Sequence, residues 1–200
     1  MSLAKRQRAA LCELLLDVGP FAPTNCEGWQ AQDLAAHLWI RENQPSALPG
    51  IGSERFAERT ERLQIEALHR HGFLGLVQRL QRPGWVMRPV DRWVNAAEWT
   101  IHHMDVLKPQ RSSLVLDRDD EKRLWKMASL LSRRTKFDGR LVLESPYGRT
   151  ERGSGASTVH LIGNPTELLY FFSGRVADAD LTVVGEPGAV ESLKESVAGL

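Results

Sequence analysis

Hydrophobic residues recur at three- and four-residue intervals through the first two thirds of the chain and in short unbroken runs after that. Leu11, Leu14, Leu15 and Val18 form one stripe, which predicts an amphipathic helix over residues 3–17, stopped by Gly19-Pro20. After the polar stretch FAPTNCEGW, the same spacing joins Leu34, His37, Leu38 and Arg41 and predicts a second helix over 31–42. A third, over 53–71, takes Phe56, Leu63, Ile65 and Leu68 as its core face. Gly72 breaks it, and FLGLVQRLQ follows as a short helical piece. Residues 82–92 read as an ordered loop, with Trp85 and Trp93 placed at a pocket entrance. The next helix starts near Trp93 or Val94 and ends before Pro109. Another begins at Asp117, with acids in DRDDEK and bases in SRRTK, the arrangement the helix dipole favours. Leu124, Ala128 and Leu131 are its inward positions.

Beyond Phe137 the texture changes. Short apolar runs at 140–144, 157–162 and 181–184 are strand-like, while GRTERGSG between the first two reads as a loop. A helix from Pro165 to Phe172, capped by Asn164 and closed by Gly174, separates the last two runs. A final helix covers 188–197. The pattern predicts an α+β chain: a helical bundle over 1–136, then a small α+β domain over 137–200.

Lys and Arg total 26 against 25 Asp and Glu, so no bulk charge points to nucleic acid or an anionic membrane. No apolar run reaches the roughly 18–20 residues of a membrane span. Two cysteines, Cys12 and Cys26, make no disulfide framework and fit a reducing, cytoplasmic setting. Cys12 falls on the first helix as core. Cys26 has no base near it in sequence and reads as inert packing.

The segment AAEWTIHHMDV carries the chemistry. Glu98 and His102 stand four apart, hence on one helix face, where a metal can sit between a carboxylate and an imidazole. His37, on the apolar face of DLAAHL, is the best third ligand, since bundle cores host metals between facing helices. Asp105 would orient a ligand histidine from behind. His103 points about 100° away from His102 and belongs elsewhere. Against this, Glu98 and His102 read equally as a solvated surface pair, and His37 as a hydrogen-bonded core histidine. In that case the side-chain heads would lie more than about 8 Å apart, too far for ligands about 2 Å from one ion. His69 and His71 read as surface residues, and His160 has no assigned role.

CEGWQAQDLAAHL and EWTIHHMDV together resemble the mycothiol-dependent maleylpyruvate isomerase family, within the wider DinB-like metal-binding bundles. The matched patterns are G-W-x-x-x-D-L-x-x-H-L (Gly28, Trp29, Asp33, Leu34, His37, Leu38) and E-x-x-x-H-x-x-D (Glu98, His102, Asp105). The resemblance implies a DinB-like four-helix bundle with a zinc-type site on His37, Glu98 and His102, nickel and iron being alternatives. It implies mycothiol as the thiol cofactor and a small anionic substrate. NPTELLYFFSGR and DLTVVGEPGAV resemble the helix, Gly-Arg pair and closing strand-turn-helix of a sterol-carrier-like domain. Arg175 of that pair is a candidate catalytic contact for the substrate's negative charge, or else a structural arginine. The implied function is a metal- and thiol-dependent transferase or isomerase. A non-enzymatic metal- or small-ligand-binding protein on the same bundle is the alternative, and a structural protein with an incidental Glu-His pair comes third.

Overall fold

The structure, a computed structural model, describes residues 1–45, 57–86 and 94–198. The chain forms two compact units, Met1–Leu114 and Val115–Leu200. No helix among the described residues is long and apolar enough to cross a membrane.

The first unit contains, among the described residues, the helices α1 (Leu3–Val18), α2 (Ala31–Asn43), α3 (Ala57–Leu80) and α4 (Val94–Leu107). Ser2 caps α1 through the Lys5 amide, and the Asp33 carboxylate caps α2 by accepting from the Gln30 amide. α2 packs on α3 and α1 on α4, around Leu11, Leu15, Leu34, Leu38, Ile40, Leu76, Leu80 and Trp99. Gly72 leaves the helical region at φ 64° and ψ 165°, a left-handed φ that glycine adopts without penalty, so α3 kinks there. Of the expected core face of α3, Leu63 and Leu68 pack against the core and Ile65 is corrected. Thr60, Gln64 and Ala67 are buried, while Ile65 is 49% exposed. At about 100° per residue, Leu63 and Ile65 flank Gln64 on opposite sides and cannot share one face. Phe56, Trp93 and the start of the expected third helix lie outside the described residues.

A chain of buried polar contacts crosses this unit. Arg8 forms a two-point ion pair with Glu42 (2.7 and 3.0 Å), and its guanidinium lies 4.2 Å from the Trp99 ring centroid. Glu42 also accepts from Asn95 Nδ2 at 3.1 Å, and Asn95 Oδ1 accepts from Arg41 at 2.7 Å. Arg41 then faces Glu98 at 3.4 Å. The network fixes one carboxylate of the candidate site through four helical side chains.

The second unit runs α5 (Arg118–Leu131), β1 (Arg140–Ser145), β2 (Gly148–Arg152), β3 (Thr158–Ile162), α6 (Pro165–Phe172), β4 (Thr182–Gly185) and α7 (Pro187–Ala198). Its sheet has the order β2-β1-β3-β4; β1 and β3 are parallel and the other pairs antiparallel. The α+β class is therefore as expected. GRTERGSG, however, is only partly a loop: residues 148–152 form edge strand β2 on β1. Its Arg, Thr and Glu side chains carry no hydrophobic period, because backbone pairing rather than burial holds it.

The boundary also moves, from 136/137 to 114/115, because α5 packs on α6. Glu121 of α5 accepts from the Thr166 amide (3.2 Å) and hydroxyl (2.7 Å) at the first turn of α6. Asn164 holds the N-cap position without a side-chain cap bond, so the capping carboxylate comes from α5. Both helices need one another, and the division falls ahead of α5.

Candidate metal centre

α2 and α4 bring His37, Glu98 and His102 together, with one ligand atom of each lying within 4.8 Å of the others. That is well inside the separation expected of unrelated side chains. Both histidines are buried, and their rings meet edge to face at 5.5 Å. Glu98 keeps 28% of its side chain accessible, the most of the three.

Each ligand is held from behind. Asp105, fully buried, lies 2.9 Å from His102 Nδ1 through Oδ2. A carboxylate only accepts, so Nδ1 carries the proton and Nε2 faces Glu98 Oε1 at 3.6 Å. His37 stacks obliquely on Trp29 at 4.9 Å, and the Gln64 amide lies 3.4 Å from its Nδ1. The atom facing Nδ1 is the amide nitrogen Nε2; interchanging the amide's O and N would let its oxygen accept from Nδ1–H and leave His37 Nε2 as a donor atom.

The electrostatics favour a cation. Burial alone would raise the Glu98 carboxyl; the His102 hydrogen bond and the charges of Arg41, His102 and His37 overcome it and bring it down to about 2. Burial also opposes the His102 imidazolium, but hydrogen bonds with Asp105, Cys26 and Glu98 and the Asp105 charge hold its pKa well above the usual value. An ionised carboxylate beside His37 and His102 supplies negative charge for a cation, and a metal there must displace the proton that His102 holds. Two imidazoles and a carboxylate suit a divalent metal, and three protein ligands leave a fourth tetrahedral position for water or another ligand.

Other expectations resolve differently. His103 does face elsewhere: it is buried against α1, with Nδ1 2.8 Å from Gln7 Oε1, and burial brings it down to about 4. Cys12 is core. His71 is not a free surface residue but packs on Trp39 at 4.9 Å. Trp85 is exposed and donates its indole N–H to the Asn43 carbonyl. Arg175 lies in the second unit, where Nη1 donates to the Ser173 carbonyl at 2.8 Å, just past α6.

Cys26 is the main correction. Its thiol donates to Asp105 Oδ2 at 3.1 Å and lies 4.0 Å from His102 Nδ1. The neighbouring Asn25 amide donates to the Asp105 carbonyl at 2.9 Å, tying the loop before α2 to α4. Its partners stand 76 and 79 residues away in sequence, so no local spacing discloses them. The only hint is its place within the CEGW segment. Gln64 was missed for a related reason: a polar residue on an amphipathic helix reads as solvent-facing.

A helical unit with a cluster of two histidines and one carboxylate, followed by an α+β unit, is thus the kind of molecule this chain forms. Its fold is shared with the solved mycothiol-dependent maleylpyruvate isomerase (18% identity, TM-score 0.55) and with a histidine-to-alanine mutant of that protein (16%, 0.56). Each match covers 92% of this chain and 91% of the other. At such identity the likeness establishes the fold. No protein-family model matches the sequence, and no curated protein is significantly similar to it.

Proposed function

We propose that this protein holds a divalent metal on His37, Glu98 and His102 and uses it to activate a small-molecule thiol, of the mycothiol kind, in transfer to or isomerisation of a small anionic substrate. The convergence of three donor atoms within 4.8 Å, on two helices of this fold, carries the reading. When bound, such a metal supplies the charge that turns a coordinated thiol into a thiolate at neutral pH. The protein's own part is orientation: Asp105 fixes the tautomer of His102, Gln64 and Trp29 set the His37 ring, and Arg41 holds the Glu98 carboxylate. Zinc fits the donor set first, and nickel and iron fit it as well.

Elemental analysis of tag-free protein tests the site beside a His37→Ala sample. About one equivalent of metal in the wild type and none in the variant supports it. Metal in neither, after reconstitution, removes the mechanism. Calorimetric titration of the loaded protein with mycothiol then separates two outcomes. Metal-dependent heat supports thiol activation, and its absence leaves the non-enzymatic metal-binding reading.

A further inference from the structure

His102 has a second side. Its Nε2 addresses Glu98 and belongs to the cluster with His37, whereas its Nδ1 addresses Asp105 and Cys26. Those three heteroatoms form a compact triangle: Nδ1 to Oδ2 is 2.9 Å, Oδ2 to Sγ is 3.1 Å and Sγ to Nδ1 is 4.0 Å. A tetrahedral ion about 2.0 Å from N and O and about 2.3 Å from S separates its ligands by roughly 3.3–3.5 Å. The observed edges lie within about half an ångström of that spacing. Asp105 is fully buried and His102 is 5% exposed, while Cys26 is half-buried and lines a cavity of about 280 Å³ with Thr24, Glu27 and Trp29.

A nucleophilic triad is the obvious rival, and the geometry argues against it. In such a triad the imidazole bridges, with one nitrogen facing the nucleophile and the other the carboxylate. Here thiol and carboxylate crowd the same nitrogen, so His102 cannot relay a proton between them. Three donors converging on one point are instead the arrangement of ligands around an ion.

We propose that Cys26, Asp105 and His102 Nδ1 form a second metal site, selective for a thiophilic divalent ion and sharing one imidazole with the His37 site. Thiolate selects soft ions, while the set of two imidazoles and a carboxylate accepts harder ones. Filling the second site releases the Cys26 thiol proton to solvent and moves the proton of the neutral His102 ring from Nδ1 to Nε2. A neutral imidazole offers one lone pair, so an ion on Nδ1 leaves Nε2 protonated, and the two sites exclude one another. The chemical character of the metal thereby decides which face of His102 is used.

Cadmium titration, followed by the ultraviolet sulfur-to-cadmium charge-transfer absorption, tests this without reference to activity. The absorption should saturate in the wild type, vanish in Cys26→Ser, and survive in His37→Ala and Glu98→Gln. Because His37→Ala removes the first site and spares the second, failure of either reading is recognised separately. No charge-transfer absorption in the wild type, or its persistence in Cys26→Ser, overturns the proposal. Equal loss in His37→Ala and Cys26→Ser also overturns it, by showing one merged centre. Circular dichroism of each variant confirms that a lost signal is not lost folding.

Discussion

The two units are built on opposite principles. The first buries Arg8, His37, Arg41, Glu42, Asn95, His102, His103 and Asp105. The second encloses mainly hydrocarbon from Leu141 to Leu143, Leu168 to Phe172, Leu193 and Val197, with Asp120 and Glu121 as buried acids among the described residues. Buried charge is expensive even when paired, and hydrophobic replacements of such pairs are often neutral or stabilising. Stability alone does not explain the first interior. What most of its polar groups do is fix directions: the Arg8–Glu42–Asn95–Arg41 chain ends on Glu98 and Asp105 ends on His102, while His103 pairs with Gln7 away from the cluster. The second interior orients nothing comparable: among its described buried carboxylates Asp120 pairs with Arg123 on the same helix, and Glu121 joins two helices.

Substitutions should expose that contrast. The largest effect is expected from His102→Ala, which removes a ligand outright and should abolish metal retention. His103→Ala should keep the metal and lose only about 0.5–1.5 kcal/mol of stability from its bond to Gln7. Equal metal loss from both, measured by elemental analysis, would mean that the wrong face of α4 has been chosen. Next comes Arg8→Ala, which strands Glu42 and should cost about 3–5 kcal/mol in urea denaturation. Arg8→Met together with Glu42→Leu should recover much of that loss while still disturbing Glu98.

Asp105→Asn should weaken metal binding about 10- to 100-fold by loosening the His102 ring, read from competition with a chromophoric chelator. In the second unit, pH provides the finer test. Burial raises the Glu121 carboxyl above its usual value, with Glu167 and Asp120 adding to this and the Thr166 bonds opposing it. A group whose folded pKa is raised favours folding most below its unfolded pKa, and that contribution is lost as pH rises through the folded value. Glu121→Gln should therefore gain stability relative to wild type as pH rises above the ordinary carboxylate range. A constant difference above that range would show that Glu121 titrates normally. Smallest of all, Ile65→Thr should change stability by less than about 0.5 kcal/mol, because its side chain is half exposed.

These residues also show how far the sequence could be read. α2, α4, α5 and α6 were visible because their apolar stripes or caps are local, and His37, Glu98 and His102 because two motifs coincide in one chain. Hydrophobic pattern misled wherever burial is polar. Gln64 lies on the inward face of α3, whereas Ile65 beside it does not. β2 has no apolar alternation to announce it. Glu121 read as a favourable first-turn acid of its own helix, and its service to α6 depends on tertiary packing. Cys26 lacked a sequence-local partner because its partner is a distant turn of another helix.

That distance has a kinetic side. Joining Cys26 and Asp105 closes a loop spanning 79 residues. Such closure adds little to the free energy, which grows only with the logarithm of loop length, but long-range contacts slow the conformational search. A φ-value near zero for Cys26→Ala would place the thiol corner on the late, native side of the folding barrier. An ion that binds there would then stabilise the finished chain by slowing its unfolding and leave the rate of folding nearly untouched.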